Sequence, residues 1–277
     1  MSAVRETLVI EAGRTERHYW RDLWRYRELL YFLSWRDILV RYKDTTMGIA
    51  WALLRPLSTM TVFTVVFSVL ARVPSEGDVP YSLLVLVGLL PWQFFASAVG
   101  VAGASLVDSE RMITKIYFPR MIIPMSAMLV AMVDFTFAGV LLGAFFAWYG
   151  IVPGWRVLFL PLFFLLAVLA ALGPGLLFSA LNVKYRDFRH VVPFIVQIGL
   201  YVSPVAYSST LVPERWRLLY AVNPMVGVIE GFRWTLFGGQ SALHVPNVLM
   251  SVAITALLLL LGIAYFRKTE RSFADVI

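Results

Sequence analysis

Long apolar runs alternate with short polar islands along most of this chain, and the lengths of the runs set the first expectation. Runs near 47–71, 81–107, 121–149, 157–181, 191–207 and 245–266 predict six membrane-crossing helices, since about 20 apolar residues span roughly 30 Å of hydrocarbon. The fifth is short. Its seventeen residues reach only about 26 Å and contain Pro193, Gln197 and Ser203-Pro204, so a broken helix is expected there. Between 213 and 238 lie two further amphipathic segments, opened by Pro213-Glu214 and by Asn223-Pro224 and ended at Gly238-Gly239. Neither is long enough to cross. Glu214, Arg215, Arg217, Glu230 and Arg233 keep both out of deep lipid, which predicts a re-entrant or surface pair beside the fifth run.

Ahead of the first run, residues 1–46 form a polar region. In it Trp20, Leu23, Trp24, Tyr31, Trp35, Ile38, Leu39 and Tyr42 recur at helical spacing, set against Arg21, Arg25, Arg27, Arg36, Arg41 and Lys43. An aromatic face against a cationic face predicts an amphipathic interfacial helix; a helix packed on a soluble partner has the same period. The six-span domain is expected over 47–266 and a polar tail over 267–277.

Composition agrees with the pattern: 60% of the residues are hydrophobic, 15% are charged, and mean hydropathy is +0.76. The class is an all-α polytopic membrane protein. A net charge of +7 would fit nucleic acid, but the basic residues sit in the connections between apolar runs, so nucleic-acid binding is not expected. Nineteen of the 24 Lys and Arg residues fall on the side of the termini and of the islands 107–120 and 182–190, and five on the other. The positive-inside rule then places both termini in the cytoplasm. There is no cysteine, which excludes disulfides and thiolate metal sites. The polar start is unlike a secretory signal peptide.

Motifs for bond chemistry are missing from the chain. Neither a G-x-x-x-x-G-K-[ST] nor an H-E-x-x-H occurs, and His18, His190 and His244 lie in different segments. No catalytic residues and no metal site are expected, and a membrane-embedded glycosyltransferase is disfavoured because the chain has no D-x-D. Four features remain. Asp134, near the middle of the third run, reads either as a proton or cation site or as a carboxylate paired with a neighbouring hydroxyl, tyrosine or amide. With no second acid or histidine at its depth, pairing is favoured. Thr61, Thr64 and Ser68 share a face of the first span, as a hydrated pathway or as hydroxyls bonded back to their own helix. Arg55, in the first third of that span, can snorkel toward the headgroups. In the 107–120 island, Asp108 or Ser109 can cap a short helix whose apolar side carries Ile113, Ile116 and Tyr117, either a docking surface or an interfacial turn.

Several stretches carry a resemblance. ELLYFLSWRDILVRYKDTTMGIAWALLRPL, KIYFP (115–119), NVKYRDFRHVVPFIVQIGLYVSPVAY and NPMVGVIEGFRWTLFGG resemble, in order and spacing, the type-2 ABC transporter permeases that export lipid-linked polysaccharides such as O-antigens, capsules and teichoic acids. Met47-Gly48 stands where the family usually has leucine-glycine. The resemblance implies a homodimer in the bacterial plasma membrane, joined to two copies of a separate ABC ATPase that carries ATP and Mg, with no cofactor on this chain. It makes the 107–120 island a coupling helix that docks the ATPase through Glu110, Arg111, Ile113, Lys115, Ile116 and Tyr117, with the N-terminal helix (Trp24, Tyr31, Trp35, Arg36, Asp37, Arg41, Tyr42) as a second contact. It also implies a glycan path along the dimer interface, lined by the first and fifth spans: Thr61, Thr64 and Ser68, then Gln197, Tyr201 and Ser208 on one face, with Tyr207 near the outer end. Asn223, Glu230 and Arg233 would belong to an outward gate. Two rival expectations are an exporter of a drug or other lipid and a proton-coupled carrier built on Asp134.

Overall fold

Every apolar run folds as helix, the form in which a segment shielded from water satisfies its own backbone N–H and C=O groups. The computed structural model describes residues 19–43, 48–115 and 118–273; Ile116 and Tyr117 of the expected docking side lie outside the described residues. The elements are α1 (Tyr19–Arg25), α2 (Arg27–Lys43), α3 (Gly48–Phe63), α4 (Tyr81–Asp108), α5 (Glu110–Ile113), α6 (Ile122–Trp148), α7 (Leu160–Lys184), α8 (Phe188–Val202), α9 (Glu214–Tyr220), α10 (Pro224–Phe237) and α11 (Val245–Thr269). Past Phe63, α3 continues as π-helix over Thr64–Leu70. Five helical stretches are long and apolar enough to cross a membrane: Ala50–Leu70, Tyr81–Asp108, Ile122–Trp148, Trp155–Lys184 and Val245–Ser272.

The fifth run departs from its expected bounds. α8 has 15 residues, about 22 Å, and stops at Val202 instead of running to 207. Proline crowds the residue before it out of the α region, and Ser203, ahead of Pro204, is extended at φ −94°, ψ 150°. Pro193 sits inside the same helix, as Pro56, Pro91 and Pro174 do in α3, α4 and α7. After Val202 the chain is irregular up to Ser208, so Ser208 does not share a helical face with Gln197 and Tyr201.

α4 occupies the centre, apolar on every side, and packs against α3, α6, α7, α8 and α10. Close helix approach needs small residues where helices cross. At the α7–α11 crossing a Cβ on Gly262 would lie 2.2 Å from the Gly173 carbonyl oxygen, and on α10 a Cβ on Gly231 would lie 2.0 Å from the Phe163 ring. A second apolar core closes one end of the bundle. Tyr19, Leu33, Leu106, Ile113, Phe118, Phe266 and Phe273 bring α1, α2, α5 and the end of α11 together there. That end carries most of the basic residues and is called the basic end below; α9 and α10 lie at the far end. α3 and α8 are different again. They contribute few buried residues and leave Val62, Val69, Leu70, Phe194, Ile198 and Tyr201 exposed.

Candidate functional site

At the basic end α2 climbs along α6, because Leu29, Leu30 and Leu33 turn toward the bundle. Trp24, Tyr31 and Trp35 stay on the outside, with Trp24 72% exposed. The aromatic face is therefore not the packed face. This climb carries Arg41 and Tyr42 to Asp134. Arg41 Nη2 lies 2.6 Å from Asp134 Oδ2, the Tyr42 hydroxyl donates to Asp134 Oδ1, and Tyr42 also meets Phe137 edge-on. Pairing of Asp134 with a tyrosine is one of the arrangements expected for it, and the guanidinium is an addition. A cavity of about 90 Å³ opens beside this cluster, lined by Arg41, Trp51, Arg55, Gln93, Ser97 and Asp134. Arg36 and Asp37 pair with each other at 2.7 Å on the exposed side of α2.

The short helix α5 follows α4 directly, with Ser109 at the N-cap position but making no side-chain cap bond. Glu110, Arg111 and Lys115 are exposed. Ile113 points the other way. It is 4% exposed and belongs to the apolar core of the basic end, so it takes no part in an outward docking face. One turn of helix offers a single apolar side, and the core claims it. Nearby, the Arg120 backbone N–H donates to Glu270 Oε1 at 2.8 Å and its guanidinium donates to the Glu270 carbonyl, while Arg267 lies 4.9 Å from the Tyr19 ring centroid. These contacts tie α1, the 118–123 turn and the end of α11 into one platform.

At the far end, of the three residues expected in a gate, Glu230 and Arg233 are buried and Asn223 is half-buried. Asn223 caps α10 by accepting from the Met225 N–H at 3.0 Å and donates to Ser203 Oγ at 2.8 Å. Arg233, 1% exposed, reaches the segment that leaves α8. Backbone carbonyls outside a helix need other partners, and three successive ones in this segment are satisfied by side chains. Arg233 Nη2 donates to the Val205 carbonyl at 3.0 Å, Tyr81 to that of Ala206, and Arg233 Nη1 to that of Tyr207 at 2.9 Å. Nη1 also lies 3.3 Å from Glu76 Oε1, and Glu76 Oε2 accepts from Ser241 Oγ at 2.6 Å. Gly88 on α4 makes room for this segment, since a Cβ there would lie 2.9 Å from the Val205 oxygen. Glu230, 3% exposed, accepts from Asn247 Nδ2 at 2.9 Å. Tyr220 donates to the Tyr207 hydroxyl at 3.0 Å, which donates to the Tyr201 carbonyl at 3.3 Å.

The residues expected to line a path divide. Gln197 and Tyr201 are exposed on α8, Tyr201 by 61%. Tyr207 is half-buried, and Ser208 is buried and accepts from the Thr210 N–H at 3.3 Å. On α3, Thr61 is exposed, but its hydroxyl donates to the Leu57 carbonyl at 2.8 Å. Thr64 and Ser68 lie in the π-helical stretch and are half-buried. Within one chain, α3 packs chiefly on α4 and α6, and α8 on α4 and α7, so the two sets of polar residues are not packed together.

Known proteins resemble this chain in sequence. Residues 28–237 match the family described as ABC-2 type transporter. The chain belongs to the ABC-2 type transporter family. It is an integral membrane protein of that family. It is 28% identical over 260 residues to the O-antigen export system permease protein RfbA of Myxococcus xanthus, covering 93% of this chain and 98% of that one. The RfbA of Klebsiella pneumoniae is 28% identical over 251 residues, 90% of this chain and 95% of the relative. The inner membrane transport permease YadH of Escherichia coli K12 is 28% identical over 221 residues, 76% and 85%.

In this ABC-2 type chain two polar partners escaped the sequence reading, Glu76 for Arg233 and Asn247 for Glu230. Arg233 and Glu76 are 157 positions apart, and no periodicity links them. A usable signal existed: an arginine that cannot face lipid needs a counter-ion, and the 72–80 connection supplies Glu76 and Asp78. The junction of Arg41 with Asp134 was equally hidden, although both residues stood out singly.

Proposed function

We propose that this chain is the membrane-spanning permease subunit of an ATP-driven exporter that carries a lipid-linked polysaccharide out of the bacterial cytoplasm. The observation that carries the reading is the likeness to O-antigen export permeases over 93% of the chain; the family alone leaves the cargo open. On this reading six segments cross the plasma membrane: α3 with its π-helical end, α4, α6, α7, α8 and α11. The basic end is cytoplasmic, in keeping with the positive-inside rule, and α9 and α10 form a re-entrant outer pair. α1 lies along the inner leaflet with Trp24 among the headgroups, and α2 rises from it along α6.

The chain works as a homodimer. A second copy covers the exposed sides of α3 and α8, and the glycan moves along the seam past Gln197 and Tyr201. Aromatic faces and amides suit a sliding sugar chain because they hold many sugars weakly and none tightly. Two copies of a separate ATPase bind ATP and Mg and dock on Glu110, Arg111 and Lys115 of α5. Nucleotide binding shifts the dimer between closed and open states, and the platform at the basic end transmits the shift as a rigid body. This subunit makes and breaks no bonds.

The relative named only as a transport permease supports the second reading, an exporter of a drug or another lipid on the same frame. A carrier built on Asp134 is disfavoured, because both of its oxygens are engaged by Arg41 and Tyr42. The test is deletion of the gene in its own host. Loss of surface glycan with build-up of its lipid-linked form in the plasma membrane, both reversed by the wild-type chain, is the expected result. Unchanged surface glycan with altered drug sensitivity or lipid distribution would favour the second reading.

A further inference from the structure

The cavity of about 90 Å³ between the end of α2, α3, α4 and α6 holds more polar groups than the ion pair beside it uses. Arg41 is matched by Asp134 at 2.6 Å. Arg55 of α3 has no counter-ion and no side-chain hydrogen bond among the described residues, and neither the Gln93 amide nor the Ser97 hydroxyl of α4 has a hydrogen-bond partner there. Gln93 and Ser97, one helical turn apart on α4, are half-buried with their polar atoms open to water. Trp51 and Arg55, one turn apart on α3, are exposed at the mouth. A cation within a membrane-spanning segment is costly unless it is paired, so the lone Arg55 calls for a partner.

The charges and donors narrow the occupant. With Arg41 balanced by Asp134, Arg55 leaves the wall with positive charge in excess, which excludes a cation, and a neutral group would leave that charge standing. The Arg55 guanidinium, the Gln93 amide, the Ser97 hydroxyl and the Trp51 indole can all donate, and an oxyanion accepts from each of them. The volume is about that of three waters at roughly 30 Å³ each and well below the roughly 300–1,000 Å³ of pockets that enclose whole small molecules. A head the size of a phosphate fits, and the rest of the ligand stays outside. Outside is lipid: Leu54 is 43% exposed on α3 and Val140 70% exposed on α6, apolar surface for acyl chains. Arg55 lies about 10 Å along α3 from its start at Gly48, within reach of a headgroup drawn inward by the local thinning that intramembrane arginines cause. None of the residues expected to line a glycan path belongs to this wall.

We infer that this cavity binds the phosphate of an anionic phospholipid from the leaflet at the basic end, with Arg55, Gln93 and Ser97 donating to its oxygens and the acyl chains lying against α3 and α6. The inference needs only the membrane-spanning fold and is independent of the cargo. A phosphate seated there lies beside the Arg41–Asp134 pair and ties the end of α2 to α3 and α4 through one anion.

The experiment is native mass spectrometry of the delipidated full chain, titrated with dioleoyl phosphatidylglycerol and, separately, with dioleoyl phosphatidylcholine. The wild-type chain is expected to hold phosphatidylglycerol about tenfold more tightly than phosphatidylcholine, the weight of one charge-assisted hydrogen bond. Arg55→Gln is expected to weaken that lipid by about the same factor, and Ser97→Leu to weaken it as much by filling the space while both arginines stay. Arg186→Gln, which removes an exposed cation elsewhere at the basic end, is expected to leave binding within about twofold of wild type. Equal retention of the two lipids overturns the site, as does phosphatidylglycerol binding unchanged by Arg55→Gln or by Ser97→Leu in a protein that melts as the wild type does. Should Arg55→Gln fold poorly, Ser97→Leu decides alone. An equal loss in Arg186→Gln would reduce the effect to surface charge and also overturn the site. Sodium phosphate that raises the melting temperature of the wild-type chain but not of Arg55→Gln, with no lipid retained, would make it a free-anion site and rule out the lipid.

Discussion

Where α2 has risen from the basic end to the middle of α6, Asp134 meets Arg41 and Tyr42, with 36% of the Arg41 side chain still accessible. At the far end, Arg233 meets Glu76 and two carbonyls with 2% of its side chain accessible. Both clusters join parts of the chain that are remote in sequence, but the physics differs. Removing one partner of a fully buried pair leaves an uncompensated charge and costs about 3–5 kcal/mol, while Arg41, still partly accessible, can snorkel toward the headgroups when its partner is lost. α2 is therefore clipped and the far end locked. A segment whose three carbonyls are held from α4 and α10 cannot leave without breaking several bonds together.

Breaking the lock should have the largest effect. Arg233→Met strips donors from the Val205 and Tyr207 carbonyls and leaves Glu76 without its cation, and a loss of about 3–5 kcal/mol in unfolding free energy is expected in nanodiscs. A loss under about 1 kcal/mol would mean that the far end is not locked. Next comes Gly262→Leu, which forces the α7–α11 crossing apart, since even its Cβ would lie 2.2 Å from the Gly173 oxygen. Overpacking of this kind costs about 1–3 kcal/mol, readable as a lowered melting temperature, and wild-type melting would contradict the crossing. Unclipping α2 should cost less. Asp134→Asn keeps an acceptor for Tyr42 and loses the ion pair with Arg41, which can snorkel toward the headgroups, so a smaller loss than that of Gly262→Leu is expected, with export retained. Complete loss of export in a normally folded Asp134→Asn protein would revive the carrier reading. Smallest of all is Thr61→Val, whose hydroxyl serves only its own helix; stability within about 0.5 kcal/mol of wild type is expected.

Much of this frame was legible in the sequence, for reasons that differ by element. α4, α6 and α11 follow from long, predominantly apolar runs, because a run longer than the hydrocarbon core leaves the backbone only a helix. The cap at Asn223 and the stop at Gly238, with φ of 61°, follow from side-chain and backbone chemistry that acts within a few residues. The end of α8 was misjudged because proline is ambiguous: Pro193 is carried inside the helix, while Pro204 helps to end it. Ile113 was misassigned because a helix of four residues has no independent face, and what it packs on decides its direction. The Arg233 and Asp134 partners lay beyond reach, since ion pairs between residues some 90 to 160 positions apart leave no periodic trace.

The central claim is that this permease is driven by an ATPase docked at the basic end. Gentle purification from the native membrane, followed by mass spectrometry of what accompanies the chain, tests it most directly. The account predicts an equimolar soluble ABC ATPase, lost when Glu110, Arg111 and Lys115 are changed to residues of opposite charge while the chain itself still folds. Purification of a folded chain without any ATPase, under several mild detergents and in nanodiscs, would contradict it.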